Sequence, residues 1–372
     1  MARWTGLWES ASWADAAQDW IDRVLEAYGV ARNGELERVS RGLSATVLRV
    51  PTEAGTLFFK ASAPPRAHEA ELLARIAPHS RGHVPTPLAV ELDEGWSLSP
   101  GLGTPLSDGR TPRAAGEAAR EASARTWRRA FADAADLQLA FSAAQDPLAE
   151  GGMPGFLPGQ AAEYLDEALM RHASYPAGHP LHVGAADADL LARGLGAVES
   201  AAAALEAAGL PLTLQQGSLL PSQIVAPSAS RAPTMFIGWG EARWSHPFGL
   251  IGEAVQRMCE VYGVEPTQEP VRSMVRAYLA PFEACAGAGG ADLVDLIGPA
   301  SLVAAAQRHE ALMELLDDAD PADQEAASPE VMRLLATALA ATHRVSRRSA
   351  ATGRLPRVRR PGGVQAGRRA AR

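Results

Sequence analysis

Lysine is all but missing from this chain: 34 of its 35 basic residues are arginine, and the one lysine is Lys60. Where arginine serves everywhere else, the place of a lone ammonium group is informative. Cysteine is nearly as scarce. Cys259 and Cys285 are too few for a disulfide framework or a Cys-rich zinc site, so a reducing compartment fits and a cytoplasmic location is expected. No apolar run approaches the roughly 20 residues of a membrane helix, and the opening MARWTGLWES has no apolar signal-peptide core. Neither a membrane partner nor export by that route is expected. A G-x-x-x-x-G-K-S/T segment is missing too, which excludes a P-loop nucleotide site, and GLGTPL and GLGAVE lack the sixth-position glycine of a dinucleotide fingerprint.

Negative charge is plentiful but unevenly placed. The net charge is −8, yet the 29 residues from Arg344 hold ten arginines and no acid, so residues 1–343, with 25 basic and 43 acidic side chains, carry −18. Residues 344–372 show no apolar periodicity and read as a basic disordered tail. Two uses are open to it: contact with a polyanion by counterion release, or folding back on the chain's own acidic body. The interleaved aromatics that single-strand binding favours are missing. A length of 372 residues suits two domains or one two-lobed unit, and can bury a full core unaided.

Residues 1–30 are expected to carry an amphipathic helix. In WADAAQDWIDRVLEAY, residues 13–28, one face holds Trp13, Trp20, Ile21, Val24, Leu25 and Tyr28, while Asp15, Asp19 and Asp22 lie elsewhere. Its acidic polar face favours packing on the body over lying on a membrane. Within residues 31–102, ATVLRV and TLFFK, joined by PTEAG, read as a hairpin, RAHEAELLARIA as a helix, and TPLAVEL and WSLS as a second strand–turn–strand. The order is strand, strand, helix, strand, strand. Residues 103–343 are expected to be mainly helical, starting with 114–144, where Trp127, Phe131, Ala134, Gln138 and Phe141 recur at helical spacing. The short QIVA and TMFIG runs near Gly238 interrupt this pattern.

A strand ending in Lys60, a helix carrying Glu69 just after it, a helical second lobe and a late loop–strand–turn form a layout that resembles the aminoglycoside phosphotransferase and choline kinase-like family. The resemblance spans roughly residues 13–320 and is most specific in GTLFFKA, LPLTLQQGSLLPSQIV and GWGEARWSHPF. It implies an α+β, two-lobed kinase-like fold, with a small antiparallel sheet as N-lobe and a mainly helical C-lobe. In such folds the strand lysine holds nucleotide phosphates and pairs with the helix glutamate. Here these are Lys60 and Glu69, with Glu71 the alternative partner, and RGLSATV would lie over the phosphates, offering Ser44 and Thr46. Laid on the family loop H-G-D-x-x-x-x-N, the histidine falls on Gln216, the glycine on Gly217, the base aspartate on Ser218 and the asparagine on Gln223. The metal-binding aspartate of the later D-W-G-D falls on Gly238 and its second acid on Glu241, while SHPF stands intact at 245–248.

The spacings match and the acids do not. A serine hydroxyl at 218 cannot accept the proton an aspartate would take. Mg2+ demands near-octahedral oxygen ligation, and Gly238 brings no side chain to it. Only Gln223, one methylene too long, and Glu241, three residues along, remain as metal ligands. The expectation is therefore a degenerate member, a pseudo-phosphotransferase that binds a nucleotide such as ATP, or a small molecule, with Mg2+ disfavoured. The alternative is an active ATP-dependent kinase acting on a small-molecule hydroxyl, with Gln223 and Glu241 holding the metal. His246 of SHPF reads as a helix cap, and His179 and His182, though spaced H-x-x-H, lie in a loop-like stretch without a nearby carboxylate.

Overall fold

Strand parity decides which side chains of the N-lobe are covered and which are left for chemistry. The computed structural model describes residues 4–106, 116–145, 148, 154–226, 232–285 and 292–339. Two helical segments come first, α1 (Trp4–Leu7) and α2 (Ala11–Ala27), the second capped by Ser10, whose hydroxyl accepts from the Trp13 amide. Five strands then form one antiparallel sheet: β1 (Glu37–Arg41), β2 (Ala45–Thr52), β3 (Gly55–Ser62), β4 (Ala89–Glu91) and β5 (Trp96–Pro100), in the order β1-β2-β3-β5-β4. Leu48, Val50, Phe59 and Ala61 lie on one face and share a buried cluster with Trp13, Ala17, Trp20 and Ile21 of α2. Phe59 is its centre, with ring centroids 5.8 Å from Trp20 and 5.5 Å from Trp96. Lys60 and Ser62 have the opposite parity and meet α3 (His68–Ile76) instead.

One strand escaped the sequence reading. All five side chains of β1 are exposed, so it shows no apolar alternation and only its backbone pairing with β2 defines it.

The C-lobe is built from α4 (Glu117–Ala143), α5 (Ala161–Ser174), α6 (Ala185–Ala192), α7 (Leu195–Ala207), α8 (Gly252–Tyr262), α9 (Val271–Glu283), α10 (Ile297–Leu316) and α11 (Pro321–Leu339). Trp127, Phe131 and Phe141 of α4 pack with Trp239, Phe248 and Tyr278 in the large core. Gln138, the polar member of that α4 face, is buried with them and donates to the Pro247 carbonyl at 3.1 Å. Two short ribbons, β6 (Thr213–Gln215) with β9 (Arg243–Ser245) and β7 (Ile224–Val225) with β8 (Met235–Phe236), carry the loops that face the N-lobe. The N-terminal half grips the second ribbon twice: the Leu106 amide donates to Ile224 O at 2.7 Å, and the Phe236 amide to His83 O at 2.8 Å. Among the described residues no helix is long and apolar enough to cross a membrane. The basic tail, residues 344–372, lies outside the described residues.

Because Phe59 is fully buried among three tryptophans, Phe59→Ala is expected to cost about 3–5 kcal/mol. Urea unfolding followed by tryptophan fluorescence checks this, and a loss under about 1 kcal/mol would mean that α2 is not an integral cover of the sheet.

Candidate functional site

Lys60 projects from the uncovered face of β3 and meets Glu69 in the first turn of α3. Its ammonium donates to both carboxylate oxygens, at 2.7 and 2.6 Å. Ser62, two residues on and of the same parity, adds a donor to Oε2 at 3.2 Å, and the backbone amide of Trp239 donates to Oε1 at 2.9 Å. Glu69 is 3% exposed. Burial by itself pushes its carboxyl up, but the Lys60 charge and these hydrogen bonds outweigh that and hold it below the ordinary glutamate range. Lys60 keeps 26% of its side chain exposed, so its outer side is open to a ligand. Glu71, the alternative partner, points away and pairs with Arg75 at 2.5 Å on the solvent face.

The turn that reaches Glu69 belongs to GWGEARW. A Cβ at Gly240 would lie 2.9 Å from Glu69 Oε2, so the backbone comes this close only because residue 240 is glycine. Gly238 adopts φ +81°, in the left-handed region. A Cβ there would lie 3.0 Å from Gln223 Nε2 and 3.5 Å from its Cγ and Cδ. Gln223 therefore occupies the space beside Gly238, and its longer side chain fills what a side chain at 238 would need. The Ile237 amide donates to Gln223 O at 2.9 Å and fixes the two segments against each other. Ser218 Oγ is 3.4 Å from Gln223 Oε1, and Gln216 Nε2 donates to the Ile237 carbonyl. Ser218, Gln223 and Gly238 thus come together, with Gln216 tied to Ile237, the residue before Gly238.

Toward Mg2+ these positions offer a hydroxyl, an amide oxygen and a glycine in place of the carboxylates that usually hold that ion. Glu241 lies close by: a Cβ on Gly217 would sit 3.2 Å from Glu241 Oε2. The carboxylate lies against Gly217, while Gln223 stands between Ser218 and Gly238.

Glu241 also lines a cavity of about 320 Å3 with Arg66, His68, Arg243 and Glu314. Glu314 bridges the two guanidiniums, accepting from Arg66 at 2.9 Å and from Arg243 at 2.7 Å. Half-burial pushes its carboxyl up, but the arginines more than offset this and leave it below the usual range. Arg66 also donates to Ala311 O, which ties the chain just ahead of α3 to α10. None of these partners was legible as a site: Arg66 and Glu314 stand 248 residues apart.

Other expectations resolve individually. Ser44 is exposed on the β1–β2 loop, with its carbonyl accepting from the Ala63 amide at 2.8 Å. Thr46 is a correction. It is 0% exposed and its hydroxyl donates to Ser40 O, because it shares the parity of Leu48 and Val50; it cannot offer a hydroxyl to phosphates. His246 does cap the turn at Pro247–Leu250, its Nδ1 accepting from the Phe248 amide, and burial lowers its pKa to about 4. His179 stacks on Tyr175 with centroids 4.2 Å apart and accepts from the Leu181 amide.

The small antiparallel sheet with its helix and the helical second lobe make a two-lobed α+β kinase-like fold. No family model and no curated protein matches the chain, but solved structures do. A type I macrolide 2'-phosphotransferase is similar with a TM-score of 0.54 at 16% identity, over 85% of this chain and 97% of that one. An ethanolamine kinase from Plasmodium vivax gives 0.56 at 13%, over 86% and 87%. A choline/ethanolamine kinase family protein from Mesorhizobium loti gives 0.53 at 18%, over 87% and 98%. At these identities the likeness establishes the α+β kinase-like fold.

The depressed Glu69 pKa sets a pH dependence. Its contribution to stability is complete above the unfolded glutamate pKa of about 4.3 and is lost as the pH falls through the lower folded value. Glu69→Gln is expected to flatten the acid limb of a stability–pH profile; an unchanged limb would show that other carboxylates set it. Gly238→Asp is expected to cost about 1–2 kcal/mol through its left-handed backbone and its contact with Gln223, part of which Gln223→Ala relieves in a double-mutant cycle.

Proposed function

We propose that this chain is a phosphotransferase-fold protein that binds a nucleotide, or a phosphate-bearing small molecule, without transferring its phosphoryl group. The observation that carries this is the contact between Gln223 and Gly238: the amide lies 3.0 Å from where a side chain at 238 would begin. Lys60 and Glu69 fit the nucleotide-holding role. The ammonium is pre-positioned by two bonds to one buried carboxylate and stays partly open on its outer side. ATP, when bound, would present phosphates to Lys60 with no protein-held metal beside them. Ser218 can orient a hydroxyl but cannot deprotonate it.

The location of Glu241 supports a second reading, an active kinase. Its carboxylate lies against Gly217 and lines the cavity of about 320 Å3. Sustained Mg2+-dependent ADP release that Glu241→Ala abolishes would establish that reading and overturn the first. Our reading expects no such release with aminoglycosides or amino alcohols as acceptors. The acidic body, −18 over residues 1–343, remains one partner we propose for the basic tail, with an external polyanion as the other.

Under the binding reading, ATP at 100 times its dissociation constant adds about 2.7 kcal/mol to stability, visible as a rise in melting temperature. The rise is expected to be similar in Mg2+ and in chelator, and to be largely abolished by Lys60→Ala. No rise with any nucleotide would refute nucleotide binding, and a rise that survives Lys60→Ala would move the site elsewhere.

A further inference from the structure

The loop that would cover bound phosphates is tied down by residues 4–9. The loop, Gly42–Ser44, joins β1 to β2 at the Lys60 end of the sheet: Ala45 pairs with Ser62, and Ser44 O accepts from the Ala63 amide. Its apex, Leu43, packs against the buried clusters of both lobes, with Trp4 and Leu315 in one and Leu181, Met313 and Leu316 in the other. A loop over an open cleft would leave that side chain in solvent. Here it bridges to the end of α10.

The bridge is pinned from outside. Trp4 Nε1 donates to Leu43 O at 2.9 Å, and Thr5 Oγ1 donates to Asp323 of α11 at 3.0 Å. Arg41, at the loop's base, donates to Thr5 O at 3.1 Å, and Glu9 pairs with Arg38 at 2.9 Å and with Arg41 at 3.1 Å. Residues 4–9 thus touch β1, the loop and α11 at once. Trp4 and Trp8 are both buried in doing so. A four-residue helix such as α1 has no stability of its own; the burial of Trp4 and Trp8 and these polar contacts hold it.

We propose that residues 4–9 are an intramolecular latch that holds the Gly42–Ser44 loop on α10 and α11 and so gates entry to the cleft at Lys60. The inference rests on the nucleotide-binding reading for what the gate admits, but not for the latch itself. Freeing the loop from α11 requires the Thr5–Asp323 bond to break, while the Trp4–Leu43 bond couples the loop to the segment that carries Thr5. A protein that is mostly latched binds its ligand with an apparent affinity reduced by the open fraction. Anything that captures the N-terminal segment would raise that affinity.

The test uses the full chain carrying Trp4→Phe and Thr5→Val, which remove both donors and keep the apolar packing, with Thr5→Val alone as the milder variant. Amide hydrogen exchange and the association rate of trinitrophenyl-ATP are measured in each. The latch predicts exchange at residues 42–46 about tenfold faster, with α4 unchanged, and trinitrophenyl-ATP association about threefold faster. Unchanged exchange at 42–46 in both variants would overturn the latch while leaving nucleotide binding untouched. Faster exchange with an unchanged association rate would overturn the gating. If exchange accelerates and no variant binds trinitrophenyl-ATP, the gating is overturned together with the nucleotide reading.

Discussion

The carboxylate of Glu69 is the point on which this site is organised. It lies buried on α3 and takes four hydrogen bonds: two from Lys60, one from Ser62 and one from the Trp239 amide. Sheet, helix and the turn after β8 are thereby fixed to a single group. The arrangement also explains why the chain keeps one lysine among 34 arginines. A compact ammonium can bridge both oxygens and still turn one side outward, whereas a planar guanidinium would need its donors aligned in a fork and more room. Gly240 is bound by the same constraint, since a side chain there would collide with Glu69.

The turn that reaches Glu69 also brings Gly238 against Gln223: the long side chain at 223 lies where a side chain at 238 would begin, and Ser218 Oγ stands 3.4 Å from its amide oxygen. The acid that remains, Glu241, faces the cavity shared with Arg66 and Arg243, whose guanidiniums Glu314 already bridges. That bridge and the Thr5–Asp323 bond are separate ties between the N-terminal lobe and the last two described helices.

Much of this was legible in the sequence, for identifiable reasons. The rarity of lysine made Lys60 conspicuous, and the family resemblance pointed to Glu69 ahead of Glu71; the structure pairs Glu69 with Lys60 and sends Glu71 to Arg75. The kinase-like order of elements followed from hydrophobic periodicity, but β1 did not, because an exposed strand carries no such signal. β6 and β9, three residues each, were too short to show alternation. Thr46 was misplaced through neglect of parity, which the neighbouring Leu48 and Val50 could have supplied. The latch and the Arg66–Glu314–Arg243 bridge were out of reach, since they join residues hundreds of positions apart with no local pattern at either end.

The central claim, that the site holds phosphates through Lys60 and has no place for a divalent metal, is tested most directly by Mn2+ titration. Water-proton relaxation would be followed with and without ATP. The account predicts that the protein adds no saturable Mn2+ site of its own, and that any enhancement requires ATP and disappears with Lys60→Ala. A saturable Mn2+ site present without nucleotide, and lost on Glu241→Ala or Gln223→Ala, would contradict it.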